Sequence, residues 1–312
     1  MENYITLFNF NYVPQGLTMF FSLKKYLPDS RLWVVCMDKK VELFLKKKKI
    51  KDLEIIPLKN VENEKLLKIK KKRKFIEYCW TLTPFLPDFI FKRFKKIKRV
   101  TYIDADIFFF KNPKFIINEF IRSKKSVLLT EHGFHYKKDY SSVSGKFCVQ
   151  YMIFNNNQKV KKILKWWQTK CIDWCHDYPD KGRLGDQKYL DLWPKLFKNS
   201  IHISKNKKFF QGPWTYNRFR SKDRIIYHFH GLKIKNFNIL VYNRYGFTNE
   251  IIKNIYIPYC QAIKNTLIKV DKNFDQINDI FFEIKILIYK FRCNFFDIKV
   301  NNNKVFDLNK LK

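Results

Sequence analysis

Two aspartates one residue apart, Asp104 and Asp106, stand where an apolar stretch, Val100 to Ile103, ends. Carboxylates at i and i+2 leave an extended chain on the same side. A few ångströms apart, they repel unless a cation lies beside them. Such an oxygen pair suits Mg2+ or Mn2+, which keep other positions for water and substrate phosphates. A bare Asp-x-Asp is a common accident, but its setting here is not bare. An apolar strand precedes it, the small Ala105 divides it, and Ile107-Phe-Phe-Phe-Lys-Asn-Pro113 follows. Further along, Asp186-Gln187 opens an apolar stretch, where Asp186 also suits a helix N-cap. His228 and His230 lie two apart in Tyr227-His-Phe-His-Gly231, so strand alternation puts both rings on one face; either could ligate a metal, although the residues alone favour a satisfied core histidine at His228. Cys171 and Cys175, followed by His176, sit one helical turn apart among tryptophans with no second ligand pair, which favours packing over zinc.

These residues need a frame. Ile5 to Phe8, Leu32 to Cys36 and Leu53 to Leu58 read as apolar strands. Between them, Leu17 to Tyr26 and Lys40 to Lys48 carry helical spacing, with Tyr12 to Gly16 as turn material. This βαβαβ alternation implies a parallel sheet covered on both faces, whose ligands collect outside the carboxyl ends of the strands. Lys65 to Trp80 reads as one basic helix and Pro84 to Lys96 as another. Lys114 to Arg122, Lys159 to His176 and Gly185 to Trp193 complete the helices of the body. Ser126 to Thr130, Gln150 to Phe154 and Ile225 to Phe229 read as strands, and Pro258 to Phe291 as helices with a period near 3.6.

Composition bounds the function. Hydrophobic residues at 46% allow a substantial core, which excludes wholesale disorder. No run reaches the roughly 18 apolar residues of a membrane span, and the N-terminus lacks the marks of a signal peptide, so a cytoplasmic protein is expected. Seven cysteines, an odd number, fit reduced buried thiols. The +35 net charge admits two readings. Lysines spread through every segment alongside Asn, Ile and Phe fit drift in base composition, with no specific nucleic-acid partner. A true electrostatic role would be attraction to an anionic membrane surface or an acidic glycan. The run Lys65 to Lys74 serves either.

Glu77-Tyr-Cys-Trp-Thr-Leu-Thr-Pro-Phe-Leu-Pro87 and Val100-Thr-Tyr-Ile-Asp-Ala-Asp-Ile-Phe-Phe-Phe-Lys-Asn-Pro113 together resemble GT-A-fold nucleotide-diphospho-sugar transferases of bacterial polysaccharide clusters. These are relatives of the family-eight, glycogenin-like and lipopolysaccharide galactosyltransferase-like enzymes. The resemblance continues through Gly185 to Pro194, Gly212-Pro-Trp-Thr-Tyr216 and Tyr227 to Leu232, and covers Leu7 to about Tyr259. It implies an α/β GT-A (Rossmann-like) mixed sheet flanked by helices, with a helical C-terminal appendage. The domain would run over residues 1–257, with a nucleotide-binding half to about 110 and an acceptor half beyond it; 258–312 would be the extension.

The resemblance also implies roles. Asp104 would lie near the donor ribose and metal, Asp106 would be the principal metal ligand, and His228, by its His-x-x-Gly spacing to Gly231, would complete the site. Imidazole with two carboxylates suits Mn2+ better than Mg2+. Gly231 would let backbone approach the phosphates, with Lys233 or Lys235 helping to hold them. Gln187 would face the anomeric carbon, Asp186 the donor sugar hydroxyls, and Leu7, Phe8, Asn9 and Tyr12 the base. The donor would be a nucleotide sugar, by family default a UDP-sugar, and the acceptor a glycan or lipid-linked glycan of the cell surface, with retention of configuration. Departures fall at Cys148 and Gln150, where relatives show Asn-x-Gly, at Gly133 and at Ile234; they bear on donor-sugar and acceptor contacts. Three alternatives stand beside this reading: a nucleotidyltransferase on a similar fold, which the loop Asn9 to Pro14 disfavours for want of a Gly-rich basic run, a non-catalytic binder of anionic surfaces, and a degenerate transferase kept for scaffolding.

Overall fold

Both faces of the first strand, β1 (Glu2–Phe8), are covered, and Tyr4, Ile5 and Thr6 are wholly buried. The computed structural model describes residues 1–235, 238–242, 245–270 and 303–307. After a 3-10 turn, α1 (Val13–Tyr26) starts four residues earlier than its apolar spacing suggests. Pro14 lies in its first turn, where an N–H is not needed. β2 (Ser30–Cys36) leads to α2 (Lys39–Lys48), whose start is capped by Asp38 accepting from Val41 N at 2.8 Å, and β3 (Leu53–Pro57) follows.

The single helix expected over Lys65 to Trp80 is two, α3 (Glu64–Lys70) and α4 (Phe75–Leu82). Five consecutive cations, Lys70 to Lys74, resist close stacking on one helix. Glu77 reaches back to Lys74 N at 2.9 Å and starts a new helix after the break. Next come α5 (Phe85–Arg93), β4 (Arg99–Ile103), β5 (Ile107–Phe109), α6 (Lys114–Ser123), β6 (Val127–Glu131), α7 (Ser141–Ser144), β7 (Phe147–Asn155) and α8 (Gln158–Asp173). The helix expected over Gly185 to Trp193 is instead a 3-10 turn, Lys188–Leu192, passing into the short α9 (Trp193–Leu196). Pro194 supplies no N–H to continue an α-helical ladder there.

β8 (Ile201–Ile203) closes the main sheet, in the order β3-β2-β1-β4-β7-β6-β8. β1 to β4 are parallel as their alternation implies, whereas β7 runs antiparallel to both neighbours, which makes the sheet mixed. Period-two alternation sorts the side chains: Trp33 and Val35 face one core cluster, Leu32, Val34 and Cys36 the other. β9 (Phe210–Gln211) and β10 (Ile226–His228) form a second sheet with β5, and this sheet brings the C-terminal half back against the end of β4. β11 (Leu232–Lys235) pairs with β12 (Asn238–Tyr242).

After α10 (Asn249–Ile251) and a π turn, α11 (Ile257–Val270) packs along α1, with Thr18 Oγ1 donating to Thr266 Oγ1 at 3.0 Å. The rest of the helical stretch expected to Phe291 lies outside the described residues. Within the 258–312 extension, β13 (Asn303–Asp307) is a strand, paired with β12. The six described cysteines are buried and free.

Candidate active site

β4 ends at Ile103, and the chain then turns, with Ile107 N donating to Asp104 O at 3.4 Å. The segment is therefore bent, not extended as the spacing argument assumed. Its carboxylates converge for another reason: β10 pairs antiparallel with β5, so His228 lies opposite Ile107 and Phe229 N donates to Asp106 O at 2.8 Å. His228 Nε2 is 3.0 Å from Asp106 Oδ1, and its Nδ1 is 3.9 Å from Asp104 Oδ2. One ligand atom from each residue falls within 4.8 Å of the others, the one such group among the described residues close enough to hold a metal.

The electrostatics suit a cation. Burial raises the Asp104 carboxyl, Asp106 adds to the rise, and His228 and Tyr102 oppose it without reversing it. Burial also pushes Asp106 up, but the charge and hydrogen bond of His228 outweigh it and hold Asp106 below its ordinary value. His228 feels the converse: burial lowers it, yet Asp106 and the other neighbours carry it well above its usual range. The His228 ring thus lies between two carboxylates that favour positive charge on it. Two oxygens and a nitrogen brought so close are a donor set that fits a divalent ion.

The Tyr102 hydroxyl donates to Asp104 Oδ1 at 2.8 Å. The buried Thr83 hydroxyl, which donates to Cys79 O at 3.4 Å, lies near both Tyr102 and the Asp186 carboxylate and holds both down slightly against the upward push of burial. Asp186 is 5% exposed, and burial above all pushes its carboxyl up to about 7. Trp167 Nε1 fixes its backbone by donating to Asp186 O at 2.9 Å. Gln187 is tied to main chain on both sides, with Nε2 donating to Ser144 O at 2.8 Å and Oε1 accepting from Val149 N at 3.3 Å.

Beside Asp104, whose N–H donates to Gln150 O at 3.1 Å, the wholly buried Gln150 leaves both ends of its amide without a partner. The register of β7 against β6 shifts just there. The Cys148 thiol borders His228, and Trp214 stands edge-on to the His228 ring at 5.3 Å.

Of the expected base contacts, Leu7 is half-buried, and Asn9 keeps a buried Oδ1 without a partner. The Tyr12 ring is 38% exposed, yet burial of its hydroxyl end and the charges of Asp106, Cys79 and Asp104 push the phenol upward, which puts it beside the carboxylates. Phe8 differs: its ring is 3% exposed and packs on Gly16 inside the core. Gly231 has φ +80°, a backbone region that favours glycine, and Lys233 is exposed on β11. Cys171 and Cys175 pack in the core, while His176 bonds Glu77 at 3.1 Å.

Tyr102 and Thr83 were not anticipated. Tyr102 had a signal, since it alternates with Asp104; Thr83 had none, because its partner is remote in sequence.

No family model matches the sequence. The uncharacterized protein YfnF of Bacillus subtilis (strain 168) is 31% identical over 254 residues, 75% of this chain and 83% of that protein. YfnD of the same organism is 27% identical over 296 residues, 89% of this chain and 94% of that protein. Among solved structures, the glycosyltransferase GlyE of Streptococcus pneumoniae TIGR4 aligns with a TM-score of 0.52 at 13% identity, covering 86% of this chain and 63% of that one. That likeness is one of fold, and the fold is GT-A. No helix among the described residues is long and apolar enough to cross a membrane.

Proposed function

Since this chain belongs to the family of Bacillus subtilis YfnF and has the GT-A fold, we propose that it is a metal-dependent glycosyltransferase moving a sugar from a nucleotide diphosphate, a UDP-sugar, to a glycan or lipid-linked acceptor in cell-surface polysaccharide synthesis. The observation that carries the reading is the convergence of Asp104, Asp106 and His228 from two distant parts of the chain. They lie at the carboxyl end of a parallel strand, where open α/β sheets bind ligands.

Asp104, Asp106 and His228 hold the ion, and the imidazole favours Mn2+ over Mg2+. A bound divalent cation would neutralise the charge that grows on the leaving diphosphate. Gly231 admits the phosphates close to backbone, and Lys233 adds positive charge nearby. Leu7, Asn9 and Tyr12 receive the base, Asn9 through its unsatisfied Oδ1. Asp186 binds donor sugar hydroxyls, and Gln187, its carboxamide fixed by Ser144 and Val149, faces the anomeric carbon.

Retention is the outcome we assign. An inverting enzyme needs a free carboxylate base near the acceptor. Of the candidates Glu131, Asp139 and Asp173, none has a motif behind it: Glu131 is held by Lys146 at 3.6 Å and Lys207 at 2.5 Å, Asp139 accepts from Ser141 N at 2.8 Å, and Asp173 is exposed at the end of α8.

The test is a panel of nucleotide sugars with Mn2+, read as released nucleoside diphosphate, beside calorimetry with UDP. Turnover of a donor together with Mn2+-dependent UDP binding is the expected result. Neither with any donor would sink the reading.

A further inference from the structure

The break between α3 and α4 exposes an unusual mixture. Leu67 is 47% exposed, Phe75 51% and Ile76 45%, all within ten residues of lysine-rich chain. Lys70 is paired with Glu62 at 2.8 Å and Lys74 with Asp177 at 3.0 Å. Lys65, Lys68, Lys71 and Lys72 are exposed, and no described salt bridge engages them. Three large apolar side chains in water among four uncompensated cations favour no folded-state contact.

We propose that this turn is a docking surface for an anionic phospholipid bilayer. Cations near a bilayer surface are drawn to acidic headgroups, and apolar tips gain by entering the boundary below them. The two kinds of side chain lie within one segment of twelve residues, Lys65 to Ile76, so an interfacial contact there can use both. A polyanion such as nucleic acid would use the lysines but give Leu67, Phe75 and Ile76 nothing to enter. A second copy of the chain is disfavoured by charge, because each molecule carries +35 and would meet lysine with lysine.

The position gives the contact a purpose. Glu77, two residues after Phe75, accepts from His176 Nδ1 at 3.1 Å and Asp177 N at 3.2 Å, so the turn is clasped to the segment leading into Asp186 and Gln187. Trp80 on α4 packs on Gly185, where an added Cβ would lie 3.2 Å from its Cε3. Docking therefore brings the segment that ends at Asp186 close to the bilayer, where a lipid-linked acceptor would be presented. That consequence rests on the transferase reading; the docking itself does not.

The test is co-sedimentation of the full chain with vesicles of phosphatidylglycerol and phosphatidylcholine in equal parts, and with phosphatidylcholine alone. We expect salt-sensitive binding to the anionic vesicles only. It should weaken at least about tenfold in Phe75→Ser/Ile76→Ser and again in Lys68→Glu/Lys71→Glu/Lys72→Glu. All these side chains are exposed, and thermal melting of each variant checks that the fold is intact. No binding to anionic vesicles overturns the proposal. So does binding that survives either set of changes, or binding lost with the lysines alone while a DNA duplex binds equally well. Because sedimentation reads no turnover, these outcomes separate failure of the docking surface from failure of the transferase reading.

Discussion

Tyr102 donates its hydroxyl proton to Asp104 Oδ1 at 2.8 Å from two residues earlier in the chain. The bond orients the carboxylate toward His228 and takes up one of its oxygens. A side chain that orients a metal ligand is worth roughly 10–100-fold in metal affinity. Tyr102→Phe should therefore weaken Mn2+ binding by about that factor, measured by calorimetry with UDP present. Its thermal midpoint should move little, since only a hydroxyl is lost. Unchanged Mn2+ affinity would show that Asp104 is not held by this bond.

Asp106 and His228 make the tightest contact of the cluster, 3.0 Å between Nε2 and Oδ1. Asp106→Asn keeps the shape and removes the charge. Donor turnover should fall on the order of a hundredfold to a thousandfold, as when a group that stabilises developing charge is removed. A chelator should abolish wild-type turnover and Mn2+ restore it, while the variant gains nothing from added ion. His228→Ala should lose turnover too, and without metal it should melt lower, by about 1–3 kcal/mol of stability, because two partly buried carboxylates then face each other without their imidazole partner.

Much of this was readable before the structure because it rests on local pattern. The unbroken apolar run Leu32 to Cys36 names a strand covered on both faces, and Asp104-Ala-Asp106 after apolar residues marks a strand end at a ligand site. What escaped depends on contacts between distant residues. The approach of Thr83 to both Tyr102 and Asp186 brings three separate segments together, and nothing in the spacing of any one announces it. The helix expected through Lys65 to Trp80 fails because propensity cannot weigh the capping of Lys74 N by Glu77 against five adjacent cations. The resemblance gives Phe8 a place beside the base, but alternation turns its ring beneath α1, onto Gly16.

Gly185 precedes Asp186 at φ +53°, and an added Cβ would come 3.2 Å from Trp80 Cε3. Gly185→Ala therefore meets a left-handed backbone and a ring that must give way. The two together should cost about 1–3 kcal/mol, read as a lower thermal midpoint. The displacement also moves Asp186, so donor KM should rise more than in a surface variant of equal stability. A shift in melting with KM unchanged would separate packing at Gly185 from the positioning of Asp186.

Asp186 makes the chain's stability depend on pH in a definite direction. Burial lifts its carboxyl from 3.8 to about 7 in the fold. Between those values the folded state holds a proton that the unfolded state has released, so stability falls as pH rises through the window. Three units correspond to roughly 4 kcal/mol, an upper figure because the fold can relax around the charge. Asp186→Asn removes the titration and keeps the shape. Its stability relative to wild type should therefore improve steadily from pH 4 to pH 8, read by urea unfolding at several pH values. If Asp186 binds donor hydroxyls, the same variant loses turnover while it gains stability at high pH. A parallel shift of both proteins across the window would mean that Asp186 is charged in the fold throughout, and that Thr83 and the neighbouring N–H groups compensate its burial.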